Sequence, residues 1–389
     1  MDTDAARAPS EAVGAAPSTG GGPSAGAAPH ADAEVTAMVA GVDHVLSDLL
    51  DQERERWVRI DPTLKLGFDL LIDLVARGTE RLQPRWCLLA FLGTGGDPHD
   101  DQAVRLAAAL ELFHTAGLIH DDVIDGSDSR RHGPSLHRAL ADTHERQRWR
   151  VERRRFSEGV AVLLGNLALG YADRLLRGMP PAVHDVFDEL RPEAHLGQYL
   201  DVMVAAIGEG SAARTRRIVR YKAAACAVER PLHLGAALTG HLSLQGDGLS
   251  RFALTVGEAF QLRDDLLGVF GDPVATGKPQ GDDLREGKQT WLVHLTRSWA
   301  AQRRDAVALA LLGRIGRTEL ALADAAAIRS LMIESGAVDT VEARIAECLE
   351  EAVAALDQLD LSPAATVSLA DLARRCAADD AADSGKRAV

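Results

Sequence analysis

Leu118-Ile119-His120-Asp121-Asp122-Val123-Ile124-Asp125, with Arg130 and Arg131 just beyond, is the stretch around which the chain is organised. Asp121 and Asp125 are four residues apart, so on a helix they lie one turn apart on one face. Acids at the C-terminal end of a helix also oppose its dipole. Such a cluster is costly unless a cation is held between its members. Magnesium suits it, because this ion takes oxygen ligands, keeps several waters and usually joins one or two carboxylates to substrate phosphates. A second pair, Asp264-Asp265, sits on another apolar helical run, Phe260-Gln261-Leu262-Arg263-Asp264-Asp265-Leu266-Leu267-Gly268. A Gly-rich loop carrying Lys278, and then Lys288, follows it. The two clusters together predict a metal–diphosphate site built from facing helices, with the lysines closing over diphosphate oxygens.

Composition narrows the function further. The chain has 389 residues, 46% of them apolar, so a sizeable core is within reach. Its net charge of −14 makes it a poor general binder of nucleic acid. An anionic substrate must then be held by metal and a few local cations. Cys87, Cys226, Cys348 and Cys376 are scattered, which argues against a zinc site and fits thiols kept reduced in the cytoplasm. No apolar run is long enough to span a bilayer, and no signal-peptide pattern opens the sequence.

Residues 1–33 are rich in Ala, Gly, Pro and Ser and are expected to form a disordered tail. Residues 34–380 read as one all-α domain, and 381–389 as a flexible C-terminus. Helical spacing starts at Val35 and continues through Leu50. Asp61-Pro62-Thr63 marks a break, with Thr63 a candidate cap for a helix from Leu64 to Arg77. Further helices are predicted near 84–92, 99–125, 156–177, 183–207, 212–239 and 250–270, from 284 onward, and three more between 318 and 378. Residues 126–143 read as a loop, and strand alternation is not evident. The arginine-rich stretch 144–155 reads as a solvated face or insertion rather than an anion-binding arm. The architecture expected is a single antiparallel helical bundle with a central cavity.

These motifs resemble those of trans-isoprenyl diphosphate synthases of the polyprenyl synthetase family, and geranylgeranyl diphosphate synthases among them. The family's first motif, DDxxD followed by RRG, corresponds to Asp121-Asp122-Val123-Ile124-Asp125 and Arg130-Arg131-His132-Gly133. Its second DDxxD corresponds to Asp264-Asp265, with Gly268 at the last Asp. Gly197-Gln198-Tyr199-Leu200-Asp201 and Tyr221-Lys222-Ala223 leading to Glu229-Arg230-Pro231-Leu232 match as well. The resemblance implies that an allylic diphosphate ionises and the cation is attacked by isopentenyl diphosphate (IPP). It implies magnesium, three ions in all, on Asp121, Asp125 and Asp264, with Asp122 and Asp265 supporting metal-bound water. Lys222, Lys278 and Arg130 would face the leaving group, and Gln198 would reach the metal waters or diphosphate. Phe260, Gln261 and Lys288 would line the allylic side; Arg81, His114 and Arg131 would contact IPP. A homodimer is implied too.

The same comparison exposes departures. The family's GGKRLRP stretch stands here as Gly78-Thr79-Glu80-Arg81-Leu82-Gln83-Pro84, so the lysine and the second arginine are Glu80 and Gln83. That exchange should weaken IPP binding. Product length should be set below the first motif. Gly117 and Ala116, four and five residues before Asp121, are small, and Phe113, eight before it, lies roughly 12 Å along the axis at ~1.5 Å per residue. Phe113 as a floor predicts a C20 product, geranylgeranyl diphosphate, with C25 the near rival. Other readings are a terpene-cyclase-like or atypical-acceptor enzyme and a non-catalytic subunit of a heteromeric synthase.

Overall fold

A computed structural model describes residues 28–78, 80–131, 133–207, 214, 217–273, 280–316 and 320–378. Most of the expected N-terminal tail, the expected flexible C-terminus and Lys278 lie outside the described residues.

The chain folds around α4 (Asp101–Asp125). Asp100 caps its start by accepting a hydrogen bond from the Gln102 N–H. Gly126, at φ 70°, ends it in a left-handed turn and donates its N–H to the Asp122 carbonyl. Between Leu106 and Ile119 every residue is buried except His114 and Gly117. A helix apolar on nearly all faces is a central helix, and α1 (Ala28–Val58), α3 (Leu82–Gly93) and α6 (Arg153–Leu175) pack against it. Helix α1 starts before Val35, so residues 28–33 belong to it rather than to a tail. The break before α2 (Lys65–Ala76) is capped by Asp61, not Thr63: the Asp61 carboxylate accepts from the Thr63 N–H and hydroxyl.

Two further expectations change. Residues 126–143 are not all loop: a hairpin pairs Ser129–Arg130 with Gly133–Pro134, and α5 (Leu136–Gln147) follows. Helix α5 buries Leu136, Leu140 and Ala141 on one face, a spacing masked in sequence by its arginines and histidines. The long helix expected over 212–239 is instead a π-helix, Val219–Glu229, running into α8 (Arg230–Leu238). It lies between α7 (Pro181–Ile207) and α9 (Leu242–Phe270). Glycines permit both contacts. A Cβ on Gly197 would come within 2.6 Å of the Lys222 backbone nitrogen, and one on Gly257 within 2.3 Å of the Ala224 Cβ.

The remaining helices are α10 (Asp282–Glu286), α11 (Trp291–Arg303), α12 (Ala306–Leu312), α13 (Leu322–Glu334), α14 (Ala337–Leu356) and α15 (Pro363–Ala377). Most of them build a second apolar cluster around Leu266, Val293, Ile328 and Ile345, against the back of α9. The architecture is all-α, as expected. No described helix is long and apolar enough to cross a membrane.

The glycine contacts generate a stability test. Gly257→Val should cost about 1–3 kcal/mol through overpacking and lower the melting temperature. A thermal scan showing no change would mean that α9 and the π-helix separate freely.

Candidate active site

A cavity of about 730 Å³ opens at the C-terminal end of α4. Its walls come from α4, α6, α7, the π-helix, α9 and the segment 286–290, with Gln83 of α3. The two unburied positions of central α4, His114 and Gly117, both face it.

Asp121 and Asp125 of α4 and Asp264 and Asp265 of α9 reach the cavity together. The Asp125 carboxyl is pushed up to about 7, by loss of solvation and then by the charge of Asp121. Lys222 sits among the acids: its Nζ lies 2.7 Å from Asp201 and 3.4 Å from Asp121. Those carboxylates raise its pKa against the opposing effect of burial. Among the described residues no three His, Cys, Asp or Glu side chains form a compact metal group on their own. An all-oxygen set of separated carboxylates, with a like-charge pair only partly relieved by Lys222, nevertheless fits magnesium, which keeps waters between itself and protein. Asp121, Asp125 and Asp264 are the residues that would hold it.

Asp122 has a different task. It is buried beside Arg130, whose Nε and Nη2 donate to its Oδ1 at 2.9 and 2.6 Å. Burial raises its pKa, an effect the Arg130 charge opposes. Asp122 is outside the cavity wall, whereas Arg130 is part of it. The acid therefore fixes the guanidinium and is not placed to contact metal. Asp265 reaches the cavity but is largely buried and accepts a hydrogen bond from Gln261 at 2.8 Å. Burial, and then Asp283, holds its carboxyl well above the usual range. Gln198 lines the cavity with both polar atoms of its amide buried and without a protein partner. Phe260, Gln261 and Lys288 line it as expected.

Gly268, where the second motif loses its last acid, is explained by packing. A Cβ there would lie 2.1 Å from the Asp283 Oδ2. The space is filled by Asp283, whose Oδ1 accepts from Lys288 Nζ at 2.9 Å. Lys288 is thereby held at the cavity wall.

Three expected contacts are not brought onto the cavity. Arg81 donates to Glu111 at 2.7 Å and to Asp43 at 2.8 Å. Arg131 donates to the same Glu111 oxygen at 3.2 Å and to the Leu74 carbonyl. Both guanidiniums are buried and turned away from the cavity. Ala116 is fully buried in the core; it lies about 100° around the helix from Gly117, which with Phe113 and His120 lines the cavity. Phe113 stands at the inner end of the cavity, edge-on to Phe187 with ring centroids 5.6 Å apart. A smaller pocket lies behind it, closed by Arg191 and Asp173, which are ion-paired.

Sequence reading passed over Asp201 and His120. Asp201 is three residues after Gln198 on one helix, a spacing that marks a shared face. His120 precedes the first acid and continues the Phe113–Gly117 stripe.

The comparisons with known proteins agree with this fold. The model of the polyprenyl synthetase family matches residues 68–328. Geranylfarnesyl diphosphate synthase of Aeropyrum pernix is 30% identical, over 80% of this chain and 90% of its own. Octaprenyl diphosphate synthase of Escherichia coli is 28% identical, over 87% of this chain and 96% of its own. Among solved structures, a geranylgeranyl pyrophosphate synthase from Corynebacterium glutamicum, complexed with isoprenyl diphosphate and magnesium, superposes with a TM-score of 0.82 at 33% identity. That match covers 86% of this chain and 97% of the other.

Two tests follow from the acids. The folded pKa of Asp125 is raised above its unfolded value. Its contribution to stability is therefore full below about pH 4 and is lost as pH rises through about 7. In chelator, Asp125→Asn should raise the melting temperature at pH 8 but not at pH 4, and added Mg²⁺ should stabilise only the parent chain; equal melting curves at both pH values would refute this. Gly268→Asp, which restores the motif, should reduce turnover by an order of magnitude or more, because the new carboxylate meets Asp283 and displaces Lys288. A gain of activity would show that the glycine is merely a lost ligand.

Proposed function

Because the chain belongs to the polyprenyl synthetase family and is a prenyltransferase, we propose that it condenses IPP with farnesyl or geranyl diphosphate. The product is geranylgeranyl diphosphate (C20), and pyrophosphate is released. The observation that carries this reading is the convergence of Asp121, Asp125 and Asp264 on one cavity whose far end is apolar and lined by Phe113.

Magnesium, three ions in our reading, would stabilise the departing diphosphate as a Lewis acid. The chain does the rest. Lys222, Arg130 and Lys288 set fixed positive charge where the leaving group gains negative charge. The unpartnered Gln198 amide offers hydrogen bonds to diphosphate or its waters. Phe113, Leu110, Leu169 and Val162 surround the alkyl tail and keep water from the cation. No protein base is required, since the leaving pyrophosphate can take the proton. Exposed Leu163 and Leu196, outside the cavity wall, support a homodimer. The free thiols of Cys87, Cys226, Cys348 and Cys376 support a cytoplasmic setting. An atypical acceptor is the second reading, favoured by the neutral Gln83 on the cavity wall.

The deciding experiment incubates purified protein with Mg²⁺ and farnesyl diphosphate, with and without IPP. Elongation to C20 that requires IPP is expected; a hydrocarbon or alcohol formed without IPP would favour the second reading. Phe113→Ala should join the cavity to the pocket behind it and shift the product to C25 or longer. An unchanged product distribution at excess IPP would exclude Phe113 as the floor.

A further inference from the structure

Helix α5 passes to α6 through an elbow, residues 148–152, that the catalytic reading does not use. Residues 144–155 carry six arginines against Glu145 and Glu152, in a chain whose net charge is −14. Residues 145–155 are all exposed. Part of the positive charge is matched within the protein: Arg153 pairs with Glu145 at 2.6 Å and Arg154 with Glu158 at 2.5 Å. Among the described residues, no carboxylate side chain pairs with Arg148, Arg150 or Arg155. A solvated face accounts for the paired arginines and not for what stands between the others.

What stands there is an apolar tip. Trp149 is 43% exposed and Val151 67%. The indole is fixed on one side, edge-on to Phe156 and His144 with centroids 5.2 and 6.0 Å away, while the rest of the ring meets solvent. Backbone geometry singles out the same tip. Arg148 and Val151 lie in the left-handed region, at φ 50° and 51°. That conformation strains a β-branched residue, and an exposed valine gains little burial to offset it. Asparagine would hold the turn at less cost.

We propose that the α5–α6 elbow docks the protein on a bilayer surface that carries anionic headgroups. Tryptophan favours the headgroup level, where one part of its ring is apolar and the other wet. Basic side chains close to an anionic leaflet each add to the binding. The acidity of the whole chain does not prevent this, because at physiological salt exposed charges more than about 8 Å from the surface are largely screened. The elbow also lies beside the cavity. Val123, between Asp121 and Asp125, and Val162 line both the cavity and an open groove of about 560 Å³, whose walls include Arg154 and Arg155. Apolar walls with guanidiniums suit a chain with an anionic head, which is the chemistry of the prenyl diphosphate in our functional reading. The part given to the groove rests on that reading; docking of the elbow does not. A nucleic acid would meet the arginines and leave Val151 without a counterpart.

The test is sedimentation of the full chain with vesicles of phosphatidylcholine, with and without phosphatidylglycerol. Binding to the phosphatidylglycerol vesicles alone is expected, with release in high salt. Arg148→Glu combined with Arg150→Glu should weaken that binding by about tenfold or more, and should leave elongation of farnesyl diphosphate in the absence of vesicles unchanged. Val151→Asn should weaken vesicle binding severalfold while raising the melting temperature, a pairing that damage to the fold would not give. Sedimentation with neither kind of vesicle, equal sedimentation with both, or full binding by the double variant overturns the proposal. Equal binding by the parent and Val151→Asn would mean that the arginines act alone, as on any polyanion, and overturns the assignment to a bilayer. Vesicle binding needs no turnover, so a chain that forms no C20 product refutes the functional reading and leaves the docking result intact.

Discussion

Like charges that face one another across a poorly solvated cavity repel, and Asp121, Asp125 and Asp264 are held in that relation by helices that cannot turn aside. Helix α4 is wrapped on nearly every face, and α9 is backed by the C-terminal helices. Their burial supplies the free energy that the acids cost. Lost solvation, and then the charge of Asp121, show in the raised pKa of Asp125. Lys222 relieves part of the repulsion from the π-helix, itself admitted by Gly197 and Gly257. A helix with an extra residue in its turn is rarer and less well bonded than an α-helix and tends to occur at functional sites. Here it sets an ammonium among the acids.

Buried pairs organise the rest of the site. Arg130 is useful to an anion because Asp122 keeps it in place, and Lys288 because Asp283 does. Arg81 and Arg131 show the opposite outcome, since Glu111 and Asp43 draw them into the protein. Removing one member of such a buried pair typically costs 3–5 kcal/mol, because the other charge is left unpaired. An arginine can thus be structurally indispensable and still absent from the site that its motif suggests.

The acidic motifs and the helical bundle were legible in the sequence because both depend on local spacing. Four-residue separation puts Asp121 and Asp125 on one face whatever surrounds them, and apolar periodicity marks a helix wherever it packs. The pairing of Arg81 and Arg131 with Glu111 was not legible, since it depends on how α3, α4 and the hairpin meet. Ala116 was expected at the cavity together with Gly117: two adjacent small residues look alike in sequence, and only packing decides that Gly117 alone of the pair faces the cavity. Gly268 looked like a lost ligand because Asp283, which fills its space, comes from the far side of the intervening loop. The π-helix was hidden because its composition differs little from that of an α-helix.

Helix α4 carries both the acids and Phe113, so the two ends of the cavity are cut from one rigid bar. With Phe113 as the floor, as proposed, breathing between helices would not change the distance from the reacting carbon to it. The other half of the stop is different: Phe187 and His195 belong to α7 and only lean against Phe113. The gauge has one fixed jaw and one sprung jaw. In the proposed reading, fidelity of chain length would then depend less on the geometry of the metal end than on how tightly α7 is pressed home, a quantity that temperature and the length of the growing tail both work against.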